Sequence, residues 1–496
     1  MNLCLGELFL GSAAERAFEI GGNILPRGPG GDASVGISGL GIILPAAQVA
    51  YVLCHIDYSL RLLNVFPGEV KDACLPALYK NSNPNPFLKT VCYLCSPKMH
   101  YMTVTLNPKV RYIGVDDLDL DLFESQYIVP EGISYNSYVI LDDKVAVMDT
   151  ADARKGEEWK ANLAEALGDR KPDYLVVHHM EPDHSAMIAW FLETYPEAKL
   201  AGSAKAVQML GQFFEGLDLA GRTLVVKEGD VVGLGEHSLR FFAAPMVHWP
   251  EVMVSFDAAD GALYSADAFG KFGALSECGF YGRDDDDWAC EGRRYYFNIV
   301  GKYGVQVQAL LGKLKGLPVR TIRPLHGPIL EDNLQEYVSL YDTWSRYAPE
   351  SEGIFIAVAS IHGGTLAAAE RLADILRAKG AKKVVLSDLC RSDVAENVED
   401  AFRYPTMVLA ASSYDAGLFT PMYEFIHRLQ INGYSNRRIA LVENGSWAPS
   451  AARVMKEMVG TMKNVELIGP VVTIRSRMKS ADIPALESLA DAVLEA

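Results

Sequence analysis

Cysteine is scarce where a large fold has to be built. Five of the eight (Cys4, Cys54, Cys74, Cys92, Cys95) fall in the first 95 residues, leaving Cys278, Cys290 and Cys390 for the rest. Those three lack the spacing of a disulfide framework, which excludes a small cross-linked scaffold and fits a reducing, cytoplasmic setting. Long apolar runs are missing as well. Gly39–Cys54 is apolar but shorter than the roughly 20 residues of a membrane span, and Pro45 interrupts it. It also lacks the basic start of a signal peptide. Positive charge is in deficit, with 46 Lys and Arg against 63 Asp and Glu for a net charge of -17. No Lys/Arg cluster is evident against that background, which argues against a nucleic-acid surface.

At 496 residues the chain exceeds what one core supports, about 250–300 residues, so at least two domains are expected. Residues 1–101 read differently from the rest. They carry Gly/Pro punctuation at Pro26-Arg27-Gly28-Pro29-Gly30-Gly31 and a polar run at Asn81-Ser82-Asn83-Pro84-Asn85-Pro86. Cys92-Tyr93-Leu94-Cys95 offers half of a four-thiolate site, but no second CxxC completes it. The expectation is a disordered extension, or a mis-assigned start with translation beginning at Met99 or Met102.

From 102 to 348 short strand-like runs alternate with helical ones. Tyr138–Leu141 and Val145–Met148 flank Asp142-Asp143 as a hairpin, and 156–168 reads as a helix with Trp159, Leu163 and Leu167 on one stripe. Tyr174–Val177 is an apolar strand, and the run His179-Met180-Glu181-Pro182-Asp183-His184 begins at its carboxyl end. Four metal-ligand side chains in six residues is the densest chemistry in the chain. Three more candidates, His248, Asp267 and His326, each follow a short strand, where loops supply side chains and the sheet fixes their origin.

A hydrolytic two-zinc site of the αββα layered type would read His-x-His-x-Asp-His. Here the third position is Glu181. Two imidazoles with carboxylate oxygen on each metal make a hard, anionic environment that favours iron, although zinc also accepts carboxylates. His178 is excluded, because adjacent residues of an extended strand point to opposite faces. Tyr127, Tyr135 and Trp249 are expected neighbours of the pocket.

Past Arg346–Gly353 the pattern becomes strand–loop–helix. Strands are expected at Ile354–Ala359, Lys382–Leu386, Met407–Ala411, Ile439–Val442 and Val465–Ile468, a five-stranded doubly wound domain over 353–496. Ser360-Ile361-His362-Gly363-Gly364-Thr365 lies between strand and helix as a phosphate cradle, without the GxGxxG of a dinucleotide site.

Together, His-x-Glu-x-Asp-His, the distal ligands in order, Pro130–Tyr138 and the flavodoxin-like half resemble the flavodiiron proteins (A-type flavoproteins) over roughly 103–496. The resemblance implies a metallo-β-lactamase-like αββα sandwich followed by a flavodoxin-like domain. It implies that His179, Glu181 and His248 bind one iron and Asp183, His184 and His326 the other, with Asp267 bridging. FMN is then held by Ser360, His362, Gly363, Gly364 and Thr365. Ser412, Tyr414, Asp415 and Gly417 form a second flavin loop, and Asn444, Gly445 and Trp447 a third. Departures occur at His362 and Gly364, where Tyr and Asn are commoner, and at Ala448-Pro449-Ser450, where glycine is usual.

The implied activity is reduction of dioxygen to water or nitric oxide to nitrous oxide. Electrons would come from a rubredoxin or similar separate carrier, through a head-to-tail homodimer or a dimer of dimers. The competing expectation is a zinc-dependent hydrolase with an accessory flavodoxin-like domain, which Glu181 and the flavin loops count against.

Overall fold

The computed structural model describes residues 103–285 and 287–495, together with four short strands within the first 45 residues. Contacts divide the chain into units 1–99 and 100–496. In the first, Cys4–Leu5 pairs antiparallel with Phe18–Glu19, and Ser34–Ile37 with Ile42–Pro45. The expectations placed on the Gly/Pro and Asn/Pro runs, Cys92–Cys95 and the start at Met99 or Met102 lie outside the described residues.

The second unit begins with two facing sheets. One orders its strands Thr223–Val225, Lys199–Gly202, Tyr174–Val177, Val145–Met148, Tyr138–Leu141, Val110–Tyr112 and Val104–Thr105. The other runs Val231–Gly233, Ser238–Ala243, Met253–Asp257, Ala262–Tyr264 and Thr321–Arg323. Side chains alternate across a strand. Tyr138, Ile140, Ala146, Met148 and Val176 therefore meet Leu239, Phe241, Met253 and Tyr264 between the sheets. The intervening Val139, Val147, Leu175 and Val177 turn outwards and join the core containing Trp159, Leu163 and Leu167 of helix Gly156–Leu167. That is the helix–sheet–sheet layering the sequence implied.

Register then gathers the candidate ligands. Strand Tyr174–Val177 is parallel to Val145–Met148, and the six-residue run leaves its carboxyl end. In the facing sheet Ser238–Ala243 and Ala262–Tyr264 are both antiparallel to Met253–Asp257, and Ala262–Tyr264 is parallel to Thr321–Arg323. The three strands preceding His248, Asp267 and His326 thus share one direction and end on one edge.

The third large sheet is parallel along its main path, in the order Val384–Asp388, Ile354–Ala359, Thr406–Tyr414, Arg437–Asn444, then Val465–Leu467. This is doubly wound, with its switch point between Ile354–Ala359 and Thr406–Tyr414. Two details depart from the sequence reading. The edge strand is split: Val472–Ile474 pairs with Arg437–Asn444 beyond Val465–Leu467, the interruption falling at Gly469-Pro470. The loop that follows leaves Arg475, Arg477 and Lys479 all exposed, so a small basic cluster does interrupt the acidic surface. Alternation with Ser476 and Met478 hides it in a linear scan.

The two halves are bolted together by charge and rings. Arg293 bonds both oxygens of Glu350 and one of Glu399, Arg294 reaches Asp393, and Phe297 stacks on Phe402 at 4.0 Å. Cys278, Cys290 and Cys390 are free thiols, and among the described residues no helix is long and apolar enough to cross a membrane.

Candidate metal centre and flavin edge

The six-residue run is aimed by what precedes it. Asp149 accepts the His178 backbone N–H at 2.7 Å and faces His178 Nδ1 at 2.6 Å, while His178 Nε2 lies 2.8 Å from Ser255 Oγ. Both His178 ring nitrogens are therefore occupied by protein, and His179 turns the other way. Pro182 opens a single helical turn, Pro182–Ser185, which needs no N–H at that position and puts Asp183 and His184 on successive corners. The His184 carbonyl accepts from Thr150 N and Oγ1, fixing the turn to the neighbouring strand end.

Two clusters result. Glu181 Oε2 lies 3.2 Å from His179 Nε2 and 3.1 Å from His248 Nε2. Asp183 Oδ2 lies 3.3 Å from both His184 Nε2 and His326 Nε2, which are 2.9 Å apart. Asp267 stands between. Its Oδ2 is 3.3 Å from His179 and 3.0 Å from His248, and its Oδ1 is 3.6 Å from His184 and 3.9 Å from His326.

Both oxygens of Asp183 and of Asp267 are buried with no hydrogen-bond donor. Ionised carboxylates in that state are strongly disfavoured unless a cation completes them. Burial, then the charge of Glu181, pushes the Asp183 carboxyl up to about 6. Against the same burial, His179 and His248 hold Glu181 below the usual carboxylate range. The donor set fits two cations sharing Asp267. A further triad, His237, Asp257 and Asp260, is already satisfied, with His237 Nδ1 2.6 Å from Asp257 and Asp260 bonded to Asn107 and Arg323.

Outer partners fix the imidazoles. His326 Nδ1 lies 2.7 Å from the Ser134 carbonyl, so it donates there and leaves Nε2 free to face inwards. His179 Nδ1 does the same toward Glu251 at 2.8 Å. Aromatic rings wall the pocket: Tyr135 at 6.1 Å and Phe123 at 5.4 Å from His326, and Trp249 at 5.3 Å from His179. Tyr127, expected beside the pocket, instead donates its hydroxyl to the Asn298 carbonyl and packs on Phe272. Phe123, opposite it in the hairpin Leu122–Phe123/Tyr127–Ile128, takes the ligand-facing place.

Sequence reasoning missed Phe123, Glu251 and Tyr295. Tyr295 is fully buried 5.7 Å from the His326 ring, and its hydroxyl has no partner. Glu251 was findable as the carboxylate three residues after His248. Nothing in the sequence marks Tyr295.

At the switch point of the parallel sheet, Ser360 Oγ is buried without a partner, and Thr365 Oγ1 and Ser412 Oγ are 2.8 Å apart. Helix Gly364–Ala378 starts here, its first N–H groups unpaired within the helix and Gly363 left-handed at φ 80°. A Cβ on Gly364 would meet Ser476 O at 2.5 Å, and one on Gly445 would meet Pro449 Cα at 2.8 Å. An orphaned hydroxyl beside free helix N–H groups fits a phosphate.

His362 is exposed, as are Tyr414 at 48% and Trp447 at 89%. The segment read as a loop, 412–419, is instead a hairpin. The strand continues to Tyr414, turns through left-handed Asp415 and Ala416, and returns at Gly417–Leu418. Asn444 holds Ser476 by bonds in both directions, at 2.9 and 3.1 Å.

A family model described as "ODP family beta lactamase" matches residues 133–327. A nitric oxide reductase of Moorella thermoacetica is 30% identical over 310 residues, covering 60% of this chain and 75% of the relative. An anaerobic nitric oxide reductase flavorubredoxin of Escherichia coli is 25% identical over 355 residues, 71% of this chain and 74% of the relative. The chain spans about half the length of other curated relatives, the diflavin flavoproteins of Nostoc, Synechocystis and Thermosynechococcus (51%, 45% and 48%). Among solved structures, rubredoxin oxygen:oxidoreductase of Desulfovibrio gigas superposes with a TM-score of 0.74 at 23% identity, covering 79% of this chain and 98% of that one.

Proposed function

This chain belongs to the flavodiiron protein family, and on that premise we propose that it is an FMN- and diiron-dependent reductase of dioxygen, nitric oxide or both. The observation that carries the reading is the pair of facing histidine–carboxylate sets straddled by one buried aspartate.

In this reading His179, Glu181 and His248 hold one iron, Asp183, His184 and His326 the other, and Asp267 bridges. Ser360, Thr365 and the first N–H groups of helix Gly364–Ala378 take the flavin phosphate. His362, Gly363, Ser412, Tyr414, Asp415, Gly417, Asn444, Gly445 and Trp447 frame the ring. Iron supplies a binding point and electrons for a small oxidant, and FMN relays electrons singly or in pairs. The protein contributes position and dryness. Phe123, Tyr135, Tyr295 and Trp249 exclude bulk water, and the Ser134 carbonyl and Glu251 fix imidazole tautomers. The Tyr295 hydroxyl supplies a donor that no protein group uses.

A rubredoxin-like carrier is the electron source, and a head-to-tail homodimer or dimer of dimers brings one subunit's FMN beside the other's irons. Anaerobic purification with metal and flavin analysis tests the assignment. About two irons and one FMN per chain are expected, whereas two zincs without flavin would overturn it. Consumption rates of each gas with a reduced carrier then decide the oxidant.

A further inference from the structure

We infer that the loop Arg475–Lys479 is the docking surface for an acidic one-electron carrier protein, which it holds against the flavin edge. The inference rests on the reading that this edge binds FMN.

Strand Val472–Ile474 is parallel to Arg437–Asn444, with Ile474 level with Asn444. The loop therefore leaves the same carboxyl edge of the sheet as the flavin loops. It is pinned there. Besides the two bonds between Asn444 and Ser476, Ser476 Oγ lies 2.8 Å from Ser446 Oγ, and Gly445 N donates to the Ile474 carbonyl at 3.1 Å. The Lys479 ammonium folds back onto the carbonyls of Arg475 at 3.0 Å and Arg477 at 2.9 Å. The loop backbone and the Lys479 ammonium are thus held in place at that edge.

Those charges are unspent. Arg475, Arg477 and Lys479 are all exposed, and among the described residues none of the three forms an ion pair. The nearby carboxylate Asp482 accepts the Lys479 backbone N–H at 2.7 Å and leaves the ammonium alone. On a chain of net charge -17 this is a local reversal of sign beside the proposed cofactor. On the same sheet edge Trp447, Tyr414 and Ile361 are exposed at 89%, 48% and 39%. An apolar centre with a charged rim is the anatomy of a small, transient interface, and complementary charge raises the encounter rate of such pairs. Electron transfer makes and breaks no bond. One electron leaves the carrier and enters the flavin, so the surface has only to orient the two. A nucleic acid is a poor fit, since three cations on an acidic protein neutralise too few phosphates.

The test uses the holoprotein and reduced rubredoxin, an acidic carrier, with flavin reduction followed by stopped flow as ionic strength is varied. Arg475→Glu/Arg477→Glu/Lys479→Glu is expected to keep its flavin and iron and its reduction by dithionite. Its second-order rate with rubredoxin at low salt should fall about tenfold or more, with the salt dependence flattened. Arg475→Lys/Arg477→Lys should restore most of the rate. An unchanged rate and salt slope in the charge-reversed variant would overturn the docking surface. So would loss of flavin from that variant, which would make the loop part of the phosphate site. A wild-type protein that binds no flavin would instead sink the underlying functional reading, and this inference with it.

Discussion

Glu251 Oε1 accepts from His179 Nδ1 at 2.8 Å and from the Met180 backbone N–H at 2.9 Å, within a side chain wholly shielded from solvent. One carboxylate oxygen therefore sets both the tautomer of a candidate ligand and the path of the backbone that carries it. Such outer carboxylates typically contribute a 10- to 100-fold effect on metal affinity. Glu251→Gln keeps the shape but weakens the acceptor, so iron affinity is predicted to fall within about that range while the circular dichroism spectrum is retained. Competition with a chromophoric chelator measures it, and an unchanged affinity would reduce Glu251 to a purely structural role.

Asp267 divides its two oxygens between the histidine pairs, which sets its predicted phenotype apart from that of any terminal ligand. Asp267→Ala should lower iron content from about two to one or fewer per chain, because both sites lose a donor. Glu181→Ala removes a donor from one set only and should leave the other site occupied. Metal analysis after anaerobic reconstitution separates the two outcomes.

The Tyr295 hydroxyl is buried with no acceptor or donor, so it contributes nothing to the fold that a ring would not. Removing an unsatisfied polar atom is neutral or stabilising. Tyr295→Phe is therefore predicted to raise or preserve the melting temperature while slowing turnover about 100-fold, through loss of a preorganised donor to the bound oxidant. Unaltered turnover would show that the hydroxyl serves no reacting atom.

Much of this was legible in the sequence because the chemistry is local or periodic. Four candidate ligands lie within six residues of one strand end, and the distal three each follow a short strand. His178 was excluded by strand alternation alone, and its two ring nitrogens are indeed used by Asp149 and Ser255. What escaped was long-range. Phe123 and Tyr127 are neighbours on one hairpin and both pack on Phe272; what separates them is the Tyr127 hydroxyl bond to the Asn298 carbonyl, with Phe123 left to face His326. The basic loop escaped because its cations alternate with neutral residues and gather only when the turn closes on Lys479. The hairpin at 414–417 escaped because two left-handed turn positions are filled by Asp415 and Ala416 rather than by glycine.

Arg293 holds the two halves together from a position almost without exposure, bonded to both oxygens of Glu350 at 2.7 and 2.9 Å and to Glu399. Removing the cation strands two carboxylates in the interface. Arg293→Met is predicted to cost about 3–5 kcal/mol, whereas adding Glu399→Leu to it should recover much of the loss, since an apolar replacement leaves fewer buried charges unpaired. The pH dependence has a definite sign. Burial pushes the Glu399 carboxyl up, with Arg293 opposing, and in the single variant that opposition is gone. A carboxyl whose folded pKa exceeds its unfolded value contributes its stability at low pH and loses it as pH rises. With Arg293 in place the Glu399 carboxyl still lies at about 8, so the part of the Arg293→Met penalty due to Glu399 should be small below about pH 8 and should grow as pH rises through it, by denaturant titration at fixed ionic strength. A penalty that grew on acidification would mean that the cation–carboxylate pair is not what joins these surfaces.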